Sequence, residues 1–253
     1  METAWVKARL NLYAVMQNFE ELVRYDPESA AMTADWDISL QFAIRGGDSA
    51  HLEFRNGRCR FSRGPHPSAT ISLYFLTPGH FNAMMDGKAP PVPLRGLFHI
   101  RFLTGDFQRL SDRLEYYLKP TEERMADAAY RELNTRMSLN SAAFSVREIA
   151  LGDPIGRLNA AHMPPGAVVL NILPDGPSVH IRFTVDDIIV EKTGTDNPMA
   201  RLEMKDMTVA SDFLNGKLDS FAAIAAGEVA IRGQIPMLDA LSNILDRIPH
   251  YLG

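Results

Sequence analysis

The chain has 253 residues, of which 46% are hydrophobic and 23% charged, and its formal net charge is −5. Acidic and basic residues are interspersed, which argues against the clustered basic face that nucleic-acid binding needs. The single cysteine, Cys59, excludes an intrachain disulfide and a cysteine-based zinc site, and no apolar run approaches the ~20 residues of a membrane span.

In chain order, Trp5, Leu12, Val15, Phe19, Leu22 and Val23 recur at helical spacing and predict an amphipathic helix over 4–24. Charged and amide side chains interrupt it, so it does not read as a signal peptide, and a cytoplasmic location is expected. Lys7, Arg9 and Arg24 flank its apolar face, which either covers a sheet or touches anionic lipid transiently. Period-two alternation then predicts strands at 38–44 (ISLQFAI), 50–54 (AHLEF), 70–75 (TISLYF) and 97–102 (LFHIRF). A helical segment ending at Gly87–Lys88 precedes the last of these, and an amphipathic helix carrying Phe107, Leu110, Leu114 and Tyr117 follows it. Pro120 breaks the chain, and Thr121 caps a helix expected over 121–138. The stretch 139–166 reads as irregular.

The second half repeats the first. Ser49/Ser178, His51/His180, Phe54/Phe183, Leu73/Leu202, Gly87/Gly216 and Lys88/Lys217 are each 129 residues apart. Past a two-residue insertion, Gly96/Gly227, Ile100/Ile231, Arg101/Arg232 and Ser111/Ser242 align at 131, as does the closing helix with Leu238, Leu241, Leu245 and Ile248. Strands are expected at 168–173, 179–183, 200–205 and 228–233. The division is therefore 1–120 and 121–253. In this alignment Phe102 stands opposite Gly233, and APPVP replaces the small-residue stretch that follows Gly216–Lys217.

Signals for chemistry are poor. No glycine-rich phosphate loop, nucleophile elbow or His-Glu-x-x-His helix occurs, and the seven histidines are scattered. His51 and His180 alternate away from the apolar side of their strands, which predicts exposure. Gly87 and Gly216 read as helix C-caps with solvated lysines; the alternative is that Lys88 or Lys217 meets a lipid carboxylate or phosphate.

The segment 210–241, ASDFLNGKLDSFAAIAAGEVAIRGQIPMLDAL, resembles the signature of the sterol carrier protein type-2 family, through Asp212–Phe213–Leu214, Gly216–Lys217–Leu218, Phe221–Ala226, Gly227 and Gly233. The likeness covers roughly 165–250 directly, and 37–118 only by way of the repeat. It implies an α/β (α+β) fold of two tandem sterol-carrier-like modules. Each would be a mainly antiparallel five-stranded sheet covered by helices on one face, with the first module degenerate. It also implies an apolar tunnel between sheet and helices that takes fatty acid, acyl-CoA, sterol or another lipid.

Buried methylenes supply the affinity of such a site, so its candidates are apolar. In the second half they are Leu202, Met204, Phe213, Leu214, Phe221, Ile224, Met237, Leu241 and Leu245. In the first they are Leu73, Phe75, Met84, Met85, Phe98, Leu110 and Leu114. Any one of these is core first; only a run of them around an unfilled volume makes a site. The expected function is lipid binding or transfer without catalysis, with no cofactor or metal, a hydrophobic small molecule as partner, and no nucleic acid. A scaffold with a filled core, and a lipid or CoA-ester enzyme or its accessory subunit, are the alternatives.

Overall fold

The computed structural model describes residues 2–252. The chain divides into two compact units that part between Pro120 and Thr121.

The first unit opens with α1 (Glu2–Arg9), which loosens into a π-helical turn (Leu10–Val15), tightens into a 3-10 turn (Met16–Asn18) and resumes as α2 (Phe19–Tyr25). Val6, Leu10, Leu12, Phe19 and Leu22 are buried, so the apolar face of this stretch belongs to the core. Lys7 reaches Asp86 at 3.4 Å and Arg9 reaches Asp48 at 3.0 Å. After α3 (Pro27–Thr33) come β1 (Ile38–Ile44), β2 (Ser49–Arg55), β3 (Arg58–Arg63), β4 (Ile71–Phe75), α4 (Pro78–Met85) and β5 (Val92–Arg95). A 3-10 turn (Leu97–His99), α5 (Ile100–Thr104) and α6 (Asp106–Leu118) complete the unit. The sheet order is β3-β2-β1-β4-β5, antiparallel except where β4 runs parallel to β1. Asn56 and Gly57, at φ 54 and 68, form the tight left-handed turn that joins β2 to β3. Leu40, Phe42, Leu52, Phe54, Ile71, Leu73 and Phe75 share one buried face, as the period of two requires.

The second unit has the same plan. It runs α7 (Glu122–Met125), α8 (Ala128–Gly152), α9 (Pro154–Ala161), β6 (Gly166–Ile172), β7 (Ser178–Phe183), β8 (Ile188–Glu191), β9 (Ala200–Met204), α10 (Met207–Leu214), α11 (Ser220–Ala225), β10 (Val229–Gly233), α12 (Ile235–Leu245) and α13 (Pro249–Leu252). Its sheet order, β10-β9-β6-β7-β8, is the first one read from the other end, with β9 parallel to β6. In both units the helix between the fourth and fifth strands closes alike. Lys88 N–H bonds the Ala83 carbonyl and Lys217 N–H the Asp212 carbonyl, with Gly87 at φ 70 and Gly216 at φ 67. This is the double hydrogen-bonded glycine cap expected of both positions.

Three expectations from the sequence are corrected. Residues 97–102 are a 3-10 turn and a short helix; the fifth strand lies earlier, at Val92–Arg95, where Pro91 and Pro93 masked it. The stretch 139–166 is mostly helix: α8 continues to Gly152 and α9 follows, because the small side chains along α8 tolerate burial on several sides. Third, the offset of 131 does not hold: Gly233 corresponds to Gly96, 137 residues earlier, and not to Phe102, and the closing segments match at 134, with Leu241 opposite Phe107 rather than Leu110. Both glycines have φ near +86, at 85 and 87. A Cβ on Gly96 would lie 2.8 Å from the Thr70 oxygen, and one on Gly233 would lie 2.1 Å from the Met199 oxygen, 129 residues on from Thr70.

The tie that closes each unit was not anticipated. Asp26 ends α2 and caps α3, taking the Ser29 N–H at 3.0 Å and the Ser29 hydroxyl at 2.6 Å. Arg113 of α6 donates to both its oxygens, Nε at 2.9 Å and Nη2 at 2.8 Å, and the Tyr117 hydroxyl donates at 3.0 Å. In the second unit Asp153 ends α8 and caps α9 through the Gly156 N–H at 2.7 Å. Arg247 donates through Nη2 at 3.1 Å and Nε at 3.2 Å, and the Tyr251 hydroxyl at 2.6 Å. Both aspartates are about 1% exposed. Burial by itself would raise the Asp26 carboxyl, but the bonds from Arg113 and Ser29 outweigh it and bring it from 3.8 to about 2. Asp153 settles at about 2 for the same reasons, its donors being Arg247, Tyr251 and Gly156. Burial together with the neighbouring aspartate pushes Tyr117 and Tyr251 up to about 12.

Two predictions follow from these contacts. Arg113→Met leaves a buried carboxylate unpaired and lowers the unfolding free energy by about 3 kcal/mol. Since the folded carboxyls titrate below the unfolded 3.8, their contribution is complete above about pH 4 and is lost as pH falls toward 2. Urea unfolding should therefore show a stability gap between wild type and the Asp26→Asn/Asp153→Asn variant at neutral pH that closes in acid; a gap of equal size at both would refute the ionic account. Separately, Gly96→Ala and Gly233→Ala each cost well over ~1 kcal/mol by thermal melting, whereas Gly216→Ala, whose Cβ meets nothing within 4 Å, costs only about that strain.

Candidate ligand-binding site

The helix-covered face of the second sheet is built in rows. Gly233, Ala200, Val168 and Ile181 stand side by side, then Ile231, Leu202, Leu170 and Val179, then Val229, Met204 and Ile172. The period-two pattern of four strands places them there. Around the β9–β10 end the helices converge: α10 and α12 pack on β9, and α11 packs on β10. All nine candidates from the second half ride on these elements. Met204, Met237 and Leu241 are fully buried. Leu202, Phe213, Leu214 and Leu245 are only half-buried, as is Ile231 beside Leu202. Phe221 and Ile224 on α11 are exposed, at 85% and 38%. An inner-face leucine that stays partly accessible marks surface that its own core does not cover.

The first unit differs at the matching positions. Leu73, the counterpart of Leu202, is buried, and Phe75, Leu110 and Leu114 are buried with it. Met84 and Met85 on α4 are half-buried. Phe98 sits on the 3-10 turn with its ring fully in solvent, not on an inward strand. What fills this core is aromatic. Phe107 lies 5.6 Å from Phe19, 6.4 Å from Phe42, 6.5 Å from Phe54 and 6.3 Å from Phe102, measured between ring centres. Trp36 meets Phe102 edge-on at 4.7 Å. Aligned on the aspartate and arginine of the two ties, and on the paired strands, the second unit has Val146, Leu170 and Leu241 where the first has Phe19, Phe42 and Phe107. The second unit thus carries smaller side chains at these three positions.

The repeated histidines have a backbone role. His51 Nδ1 bonds the Gly64 carbonyl at 3.1 Å, and His180 Nδ1 bonds the Thr193 carbonyl at 2.9 Å, 13 residues on in each case. Contrary to the expected exposure, His180 is buried and His51 half-buried. Lys88 pairs with Asp86 at 3.4 Å, while Lys217 is exposed. Among the described residues no group of three His, Cys, Asp or Glu is placed to hold a metal ion. No helix among them is long and apolar enough to cross a membrane.

No protein-family model matches the chain, and no curated protein matches it either. In fold, the chain is an α/β protein of two five-stranded sheets, and it is similar to solved sterol carrier protein domains. The sterol carrier protein domain 2 of Helicoverpa armigera is 16% identical, with a TM-score of 0.35, over 44% of this chain and 87% of that one. The UbiJ-SCP2 ubiquinone synthesis protein is 13% identical, with a TM-score of 0.32, over 42% and 85%. The apo form of sterol carrier protein 2 from Yarrowia lipolytica is 14% identical, with a TM-score of 0.31, over 40% and 91%.

Proposed function

We propose that the second unit binds a lipid-like molecule between its sheet and helices α10–α12, and that the first unit is its closed counterpart. The observation that carries this reading is the contrast at one duplicated position: Leu202 is half-open where Leu73 is shut. Ile231 stands beside Leu202 on the sheet, and Phe213, Leu214 and Leu245, on the helices that pack on β9, share its partial exposure. Each methylene moved from water to this surface contributes about 0.8 kcal/mol, so an acyl chain binds without strong polar contacts. Lys217, exposed in the turn after α10, would meet a carboxylate or phosphate head. The residues involved are apolar and carry no activated nucleophile, so the role is binding or transfer, not catalysis. The signature-like segment 210–241, which runs through α10, α11, β10 and α12, supports the same reading.

The first unit, with its aromatic core, fits the scaffold alternative. Its candidates Leu73, Phe75, Leu110 and Leu114 are then packing residues.

Binding of a fluorescent fatty acid, with native mass spectrometry of the full chain, tests the proposal. Leu202→Trp should weaken binding at least tenfold with little loss of stability. Leu73→Ala should cost about 2–5 kcal/mol by denaturation yet leave affinity unchanged. A chain that binds no acyl probe, or loses binding only through Leu73, would overturn the assignment.

A further inference from the structure

The connection from α4 to α6 in the first unit carries more exposed apolar surface than its length requires. Val92, Leu94, Leu97, Phe98 and Ile100 are all exposed, Leu94 and Leu97 at 63% each. The segment is nonetheless firmly seated. Phe102, two residues after Ile100, packs edge-on against Trp36, and Gly96 turns in a left-handed conformation against Thr70 and Ile71. The exposed side chains therefore project from a fixed base. From Gly87 to Gly105 there is no aspartate or glutamate and the charged residues are Lys88, Arg95 and Arg101; the flanking Asp86 and Asp106 are neutralised in ion pairs with Lys7 and Lys88 and with Arg109. Among the described residues the guanidinium groups of Arg95 and Arg101 are exposed and make no hydrogen bond or ion pair. Lys88 is paired with Asp86.

We infer that residues 92–101 form a docking surface for an anionic lipid bilayer. Exposed apolar patches of this kind mark interaction sites. The absence of carboxylates and the two unpaired guanidinium groups select a partner that is apolar inside and negatively charged at its surface. A bilayer offers both: leucine and phenylalanine side chains enter the boundary between headgroups and acyl chains, while arginine pairs with phosphate. The second unit does not share this chemistry. Its exposed Phe221 and Ile224 lie within a few residues of Asp219 and Glu228 as well as of Lys217, a mixed charge environment. The N-terminal helix is not the contact, because its apolar face is buried and Lys7 and Arg9 are paired.

Flotation of the full chain with vesicles of phosphatidylcholine alone, or mixed with phosphatidylglycerol, tests this surface. Association should require phosphatidylglycerol and weaken with added salt. Arg95→Gln and Arg101→Gln should each weaken it about fivefold. Leu97→Ser with Phe98→Ser should weaken it tenfold or more, while melting and fatty-acid binding stay unchanged because both side chains are exposed. Phe221→Ser should leave flotation as it was. A chain that fails to float with phosphatidylglycerol, or floats equally well with the Leu97→Ser/Phe98→Ser pair, would overturn the inference. So would a dimer in sedimentation equilibrium that this pair dissolves, because the patch would then belong to a second copy. The fatty-acid readout is separate, so failure here leaves the ligand site of the second unit standing.

Discussion

A buried carboxylate held by an arginine and a tyrosine decides where the last helix of each unit sits. Hydrophobic burial supplies most of the stabilisation, but it is non-directional and would accept α6 or α13 in several registers. The Asp26–Arg113–Tyr117 and Asp153–Arg247–Tyr251 ties accept only one. Each aspartate also caps a helix, so the same two oxygens fix the turn between the early helices and the angle of the closing one. Losing the arginine would leave a buried carboxylate without its counter-charge, which makes the arrangement close to all-or-none.

Within that shared frame the two units diverge at their centres. The chain from Gly87 to Gly96 is nine residues, and the matching path from Gly216 to Gly233 is seventeen. The shorter path goes straight into β5; the longer one has room for α11. The first unit places a cluster of aromatic rings under its sheet, and the second places aliphatic side chains there. Fold and contents are thus set separately: hydrogen-bond register and buried charge repeat, whereas side-chain volume and surface charge do not.

Most of the architecture was legible in the sequence because its signals are local. Alternation in 38–44, 50–54, 168–173 and 179–183 marks strands, and the glycine caps at 87 and 216 mark helix ends. Non-local features were harder to read. The strand at Val92–Arg95 carries Pro93, follows Pro91 and sits at a sheet edge, so it lacks the alternation that LFHIRF shows by coincidence. The ties join residues about 90 positions apart, and their spacing shifts from 127 at the aspartates to 134 at the arginines, which a single offset conceals. The signal was nonetheless present: an Asp-Pro pair at 26–27 and 153–154, and Arg-x-x-x-Tyr at 113–117 and 247–251. The candidate site was legible only as a set of apolar positions. Which of them stay open depends on the size of opposing side chains, which lie far apart in the sequence.

The placement of the first tie bears on how the chain is made. Tyr117 comes three residues before the break at Pro120, so every member of the first tie has been synthesised before translation reaches Thr121. Domains emerging from the ribosome fold as units, the N-terminal one first. The first half can thus lock its final helix before a second sheet of the same strand order exists to exchange strands with.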